Sequence, residues 1–394
     1  MYFILDINKM HSAHNINNNN INNINIQGKT QDNEASYNKR QFWEYRRLYG
    51  GSKKKLSQND NAKHTKKVFH LVNNKIATDN KLVKRLGSIY IPPAYKDIVV
   101  AKSANNKIQA IGTDKRGRRQ YVYNSIYTKK RNDRKYEDIM ELAKKIGLIE
   151  KDNNIMLKEI SKKEVLNWNL PIDYIPIIVY ILRTYHFRIG NERYANDNKS
   201  YGITTLRAEH IKWDAKKPHK FIIEFIGKKG ILNRFSEDNA MIAKLMHKLI
   251  DGSKRKGHDG FLFKYIQDGA IHFVTPEHIQ SFFQDKYNSY ITPKMFRTWY
   301  GNYHLLICLR NMFNENKLKP NLKQYEKNEI IKECSEHVSS KLNNTPTVSK
   351  QSYIDNKILD LIMKNPYRFA SNIPNDSEEQ HKHLYKIIMK LRHT

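Results

Sequence analysis

The chain has 394 residues, room for two domains and an unstructured segment, and its 39% hydrophobic and 11% aromatic content supports real cores. Seventy Lys+Arg against 39 Asp+Glu leave a formal charge of +31, a field that attracts polyanions and nucleic acid first. A membrane surface fits less well, because the basic residues are spread through globular sequence and not gathered on one amphipathic helix.

The first ten residues, "MYFILDINKM", lack a basic n-region, a sufficient apolar core and a small-residue cleavage site, so secretion is not expected. Residues 15–25, "NINNNNINNIN", are asparagine at eight of eleven places, a composition that favours turns and buries no core. Residues 1–60 therefore read as a disordered leader, with one short helix suggested by "QFWEYRRLY". From 67 the text becomes β-like. "KVFHLVNNKIATD" places a hairpin turn at Asn73-Asn74, and "SIYIPPAYKDIVVAKS" gives a Pro-Pro break and then a strand. "KIQAIGTDKRGRRQYVYNSIYT" gives a strand, a basic turn with glycine, and an alternating strand in which Tyr121 and Tyr123 share a face. The region 67–133 reads as a small β-rich domain with a basic exposed face.

Beyond 134 the spacing turns helical, as in "KYEDIMELAKKIGLI" and "LKQYEKNEIIKECSEHVSSKL". The longest apolar run, "YIPIIVYIL" at 174–182, is too short to span a bilayer and predicts a buried helix. Thr275-Pro276, Thr292-Pro293 and Thr345-Pro346 each fit an N-cap followed by proline in the first turn. Between helices, "KFIIEFIGKKGILNRF" predicts a β-hairpin with lysines at its tip. Cys308 and Cys334 fall within helical patterns and read as reduced core thiols of an intracellular protein.

No phosphate-binding G-x-x-x-x-G-K-[ST] occurs, and the 16 histidines form no metal-ligand spacing, so neither a nucleotide nor a metal cofactor is expected. Four side chains remain as candidates: Arg188 in "YHFRIGNERY", Lys228 at the hairpin tip, Arg297 in "TPKMFRTWYGNY", and Tyr353 in "LNNTPTVSKQSYI". Two guanidinium groups suit a phosphoryl centre, because each donates in a planar, permanently charged fork. Singly, each arginine is better read as a surface or DNA-backbone contact.

The ordered set changes that balance. "RTYHFRIGNERYANDNKSYGITTLRAEHIKWD", "IEFIGKKG", "TPKMFRTWYGNYHLL" and "LNNTPTVSKQSYI" together resemble the type IB DNA topoisomerases, especially those of poxviruses and other large DNA viruses, with related bacterial forms. "IGTDKRGRRQYVY" and "KKRNDRKY" resemble the same family's N-terminal domain, and the resemblance spans about 67 to 370. It implies an α+β fold: a small N-terminal β-rich, barrel-like domain, then a mostly helical catalytic domain over 134–394 of the type IB topoisomerase and tyrosine recombinase kind, with a small hairpin sheet. Tyr353 would be the nucleophile, Arg188 and Arg297 would hold the phosphoryl oxygens, and Lys228 would protonate the leaving 5′-oxygen. Asn344 stands where the poxvirus pattern has histidine, and either side chain can donate one hydrogen bond to a phosphoryl oxygen. Arg118, Gln120, Tyr121, Tyr123 and Arg131 resemble the groove-facing set, and Tyr194 and Lys294 resemble backbone contacts. Packing in a β-core is the rival reading for the two tyrosines. Asn191 falls where the poxvirus enzyme has lysine.

The resemblance implies a monomer that clamps duplex DNA between its domains and needs no nucleotide, metal or membrane. For a viral chain it implies the host-cell replication compartment and leaves the virion open. Two rival readings stand beside this one. A tyrosine recombinase typically shows His-x-x-Arg where this chain has Lys294-Met295-Phe296-Arg297, and its docking tail could be imitated by "EEQHKHLYKIIMKL", although a packing helix is the simpler reading. A basic DNA-binding protein without activity would account for the charge but not for the ordered motifs.

Overall fold

The computed structural model describes residues 41–50 and 67–393. The Asn-rich tract lies outside them. The chain divides after Lys130 into two compact units.

In the first unit, β1 (Phe42–Gly50), β2 (Lys67–Val72), β3 (Lys75–Ile76), β4 (Lys96–Ala101), β5 (Ile108–Thr113) and β6 (Arg119–Tyr123) form one antiparallel sheet in the order β3-β2-β1-β4-β5-β6. Helix α1 (Asn80–Ser88) is capped by Asp79, which accepts from the Leu82 amide at 2.6 Å. The small core joins Tyr45, Leu86, Ile89, Ile91, Val100 and Ala110. The Asn73-Asn74 turn has both residues at positive φ, +47° and +62°, as a tight two-residue hairpin requires.

The expected short helix at "QFWEYRRLY" is corrected. Phe42–Gly50 is a strand, because Phe42 to Glu44 pair with β4 and Tyr45 to Gly50 pair with β2, with Tyr45 buried between exposed Glu44 and Arg46. The disordered reading of residues 1–60 fails for this part of the segment. Its other residues, apart from Gln41, lie outside those described.

The long helix α2 (Ser125–Lys162) is followed by α3 (Tyr174–Thr184), the predicted buried helix, and by α4 (Glu192–Asn198). A three-stranded antiparallel sheet, β7 (Ile211–Trp213), β8 (Lys220–Ile226) and β9 (Leu232–Asp238), contains the predicted lysine hairpin. Then come α5 (Ala240–Ser253), the ribbon β10 (Lys264–Gln267) and β11 (Ala270–Phe273), α6 (Pro276–Tyr287), α7 (Pro293–Asn314), α8 (Gln324–Leu342), α9 (Pro346–Ser352), α10 (Asn356–Lys364), α11 (Pro366–Ser371) and α12 (Ser377–His393). The three Thr-Pro pairs start α6, α7 and α9.

One core serves the second unit, built around Trp299, Tyr174, Phe187, Phe221, Phe263 and Phe296. Helix α12 belongs to it: Leu384 and Ile388 are fully buried, and His381 accepts from Trp299 Nε1 at 3.0 Å. The C-terminal stretch is a packing helix of its own chain. Cys308 and Cys334 are buried free thiols. Among the described residues no helix is long and apolar enough to cross a membrane.

Candidate active site

Tyr353 is the residue that ends the seven-residue helix α9. Thr345 starts that helix, its side chain accepting from the Val348 amide at 3.3 Å, and the Tyr353 amide closes it on Ser349 O at 2.9 Å. The tyrosine is 8% exposed. Helix α7 runs beneath it, and the contact is close: a Cβ on Gly301 would sit 3.0 Å from both Tyr353 Cβ and its carbonyl oxygen.

Arg297, in the second turn of α7, is almost wholly buried. Its Nε donates to the Tyr353 hydroxyl at 3.3 Å, and its guanidinium carbon lies 4.9 Å from the centre of the Tyr353 ring. Its other nitrogens donate to the carbonyls of His186 and, at 2.8 Å, of Leu342. Burial lowers its pKa to about 10, with partial relief from the phenol. This arginine is held rigidly with one edge turned to the tyrosine.

Arg188 comes from the loop after α3, and its Nη2 donates to Asn344 Oδ1 at 2.5 Å. The loop lies against a second segment through glycines. A Cβ at Gly202 would fall 2.5 Å from Arg188 O and 2.6 Å from Gly190 N, backbone atoms that cannot step aside. Gly202→Ala is therefore expected to displace Arg188, and a displacement of ~1 Å costs about 10²-fold in rate. Single-turnover cleavage at saturating DNA checks this, and a full rate would show that the loop does not locate the arginine.

Asn344 follows the left-handed C-cap Asn343 of α8. With its oxygen taken by Arg188, its Nδ2 is buried and has no partner, which leaves both N–H donors of a fixed amide unused. The Tyr353 phenol feels all of this. Burial is the largest single influence and pushes its pKa up, but Arg297 and Arg188 together outweigh it, so the net shift is downward. The group is poised to act as an oxygen nucleophile.

Several positioning residues had no signal in the sequence. Asn302, fully buried, donates to Tyr353 O at 3.0 Å and accepts from the Asp355 amide at 2.8 Å, bracketing the tyrosine's own backbone. From α2, Lys135 donates to Ser352 O at 3.0 Å and the Tyr136 hydroxyl to Ile354 O at 2.6 Å. Burial, with the cations Lys294, Arg131 and Arg392, brings the Lys135 pKa down to about 8. Arg392, near the end of α12, pairs with the buried Asp355 carboxylate.

Lys228 stands apart. It opens the exposed turn Lys228–Gly230, and its ammonium has no hydrogen-bond or ion-pair partner among the described residues. The turn is well defined: Gly227 N donates to Ile231 O at 2.8 Å, Gly230 N to Gly227 O at 3.1 Å, and Asn233 Nδ2 to Ile231 O at 3.0 Å. Only the Lys228 and Lys229 side chains are left to reach outward. Of the five residues expected in the centre, four are thus gathered and the fifth is at the hairpin tip.

The groove-facing candidates divide. In the first unit Tyr121 and Tyr123 are half-buried, with ring centres 6.4 Å apart on one face of β6, while Val122 packs toward the core on the other. Neither tyrosine is a core residue. Arg118 and Gln120 both bind Asp114, Arg118 through Nε at 2.9 Å and Nη2 at 2.8 Å, and Gln120 at 3.0 Å. The Arg118 hydrogen bond brings the Asp114 pKa down to about 2. A phosphate would have to displace that carboxylate. In the second unit Arg131, Tyr194 and Lys294 are exposed, with Tyr194 at 60%. Asn191, the departure from the poxvirus lysine, caps α4 by accepting from Tyr194 N at 3.2 Å. Among the described residues no group of three or more His, Cys, Asp or Glu is placed to hold a metal ion.

Comparison with known proteins gives a consistent picture. Residues 124–372 match the family model of the eukaryotic DNA topoisomerase I catalytic core, and residues 68–114 match that of the bacterial DNA topoisomerase IB N-terminal domain. DNA topoisomerase 1B of Acanthamoeba polyphaga mimivirus is 31% identical over 324 residues, 78% of this chain and 88% of the relative. DNA topoisomerase 1B of vaccinia virus (strain Copenhagen) is 26% identical over 299 residues, 73% of this chain and 84% of its own length. DNA topoisomerase 1 of rabbit fibroma virus is 24% identical over 288 residues, covering 72% and 82%.

Proposed function

The chain belongs to the type IB DNA topoisomerases, and from that premise we propose that Tyr353 is the nucleophile of a transient single-strand cut in duplex DNA. The phenol oxygen bonds to phosphorus, and the bond from phosphorus to the 5′-oxygen breaks. The products are a 3′-phosphotyrosyl link and a strand that ends in a free 5′-hydroxyl. Lys228 supplies the proton that the 5′-oxygen takes up, and the phenol proton passes to water. Arg188 and Arg297 hold the non-bridging oxygens of the trigonal-bipyramidal transition state, and the unpartnered Asn344 N–H donates to one of them.

The observation that carries this reading is the contact of Arg297 Nε with the Tyr353 hydroxyl, beside the Arg188–Asn344 pair. An unperturbed tyrosine has a pKa of ~10, so attack needs cations to favour the phenolate, and two are in place. One phosphate ester replaces another, so the bond energy is retained and religation needs no nucleotide. While the strand is open, rotation of the downstream duplex releases torsion of either sign. A lysine at an exposed tip can be brought to its oxygen by the substrate itself, which would complete the centre only on DNA.

For the duplex contacts we assign Tyr121, Tyr123, Gln120 and Arg118 to the groove-facing set with Arg131, and Tyr194 and Lys294 to the backbone. One chain supplies the whole gathered centre, which supports a monomeric enzyme. Its substrate places it inside the cell. The purified protein is expected to relax positively and negatively supercoiled plasmid in chelator and without ATP, as read on agarose gels. A requirement for magnesium or for ATP would reject the scheme.

A further inference from the structure

The outer face of the β8–β9 hairpin changes character at its tip. Along it, cross-strand pairs read Lys220 with Asp238, Ile222 with Ser236, and Glu224 with Arg234, the last an ion pair at 3.4 Å. The inner face carries the buried Phe221, Ile223 and Phe225. Each of those pairs carries at least one polar side chain, and by that pattern the last pair, Ile226 with Leu232, should carry one too. Instead two branched aliphatic side chains face each other there, 43% and 51% exposed. The next residues are Lys228 and Lys229, both exposed and neither with a hydrogen-bond or ion-pair partner among the described residues.

The core does not explain this pair, because the core lies on the opposite face. An apolar couple beside two exposed ammonium groups complements a duplex minor groove. The sugar edges that wall a duplex minor groove are apolar, and the phosphates on either side are anionic. The hairpin is also held for such a role: Tyr201 N donates to Ile226 O at 2.8 Å, tying its end to the segment whose Gly202 packs on Arg188 O. Lys228 thus follows two residues after a strand end that is anchored to the segment beside Arg188.

We propose that Ile226 and Leu232 form an apolar pad that rests on the sugars of the minor groove and seats the Lys228 ammonium on the leaving 5′-oxygen. They are positioning residues, and the inference rests on Lys228 being the proton donor. Both are solvent-exposed, so polar replacements should leave the fold intact.

The experiment compares single-turnover cleavage, at saturating DNA and at a site mapped on plasmid, of two duplexes. One has the ordinary 5′-oxygen at the scissile phosphate, the other a bridging 5′-sulfur, whose thiolate leaves without protonation. The double variant I226S/L232S is expected to lose about tenfold on the oxygen substrate, the equivalent of withdrawing apolar contact from two side chains, and to recover on the sulfur substrate. I226V/L232I should keep the full rate on both, and Lys228→Ala should lose far more on oxygen and also recover on sulfur. An unchanged oxygen rate in I226S/L232S, or an equal loss on both substrates while Lys228→Ala is rescued, overturns the pad alone. Failure of sulfur to rescue Lys228→Ala overturns the proton-donor reading and the pad with it.

Discussion

Tyr353→Phe is expected to leave no covalent protein–DNA adduct on a denaturing gel and no relaxation of plasmid, while duplex binding stays within about twofold. The substitution removes one oxygen. The phenyl ring keeps its place beside the Arg297 guanidinium, 4.9 Å from its centre, the residue's Cβ and backbone stay packed on Gly301, and α9 keeps its cap and its backbone bonds. Affinity for DNA comes mainly from cations elsewhere on the chain, so it should survive. Chemistry should not, because the only atom lost is the one proposed to bond to phosphorus. Adduct persisting in this variant would move the nucleophile to another side chain and dissolve the assignment of the centre.

Arg297→Ala should produce the second largest effect, a fall in single-turnover cleavage of about 10²–10³-fold. Two losses combine. The transition state loses a preorganised donor, and the phenol loses the cation that does most to lower its pKa, so the rise of cleavage with pH should move to higher pH. Stability falls as well, by roughly 1–3 kcal/mol, because the His186 and Leu342 carbonyls lose a buried charged donor. Rates are therefore compared below the variant's melting range. Arg297→Lys keeps a charge but not the fork that reaches tyrosine and both carbonyls, and should fall between wild type and alanine. A loss under tenfold in the folded alanine variant would remove Arg297 from the reacting centre.

The environment of Asn344 bears on why the histidine of the poxvirus pattern can be absent. A neutral imidazole offers one N–H donor, and the Asn344 amide, with its oxygen occupied by Arg188, can supply the same kind of donor from its unpartnered nitrogen. The arginine thereby orients the amide so that nitrogen, not oxygen, faces away from it. The two residues work as a pair, and a change at either would disturb the other's donor.

Local signals were legible because they depend on neighbours in the chain. The three Thr-Pro starts, the Asn73-Asn74 turn, the alternation of Tyr121, Val122 and Tyr123, and the lysine hairpin each follow from backbone preferences spanning a few residues. The net charge pointed to a polyanion from composition alone, and the order of four motifs pointed to the chemistry.

Other features only the tertiary structure decided. "QFWEYRRLY" is ambiguous in isolation and becomes a strand because β2 and β4 pair with its two edges. Arg188 meets Asn344 across 156 residues of sequence, and Arg297 meets Tyr353 across 56. Asn302, Lys135 and Tyr136 hold the backbone around Tyr353, and Arg392 pairs with Asp355, through contacts that no spacing encodes. The sequence determined which side chains could do phosphoryl chemistry. Which of them stand together, and which donor is left unpaired, was decided by packing between segments far apart in the chain, since burial and hydrogen-bond satisfaction are properties of the assembled fold and not of any window of residues.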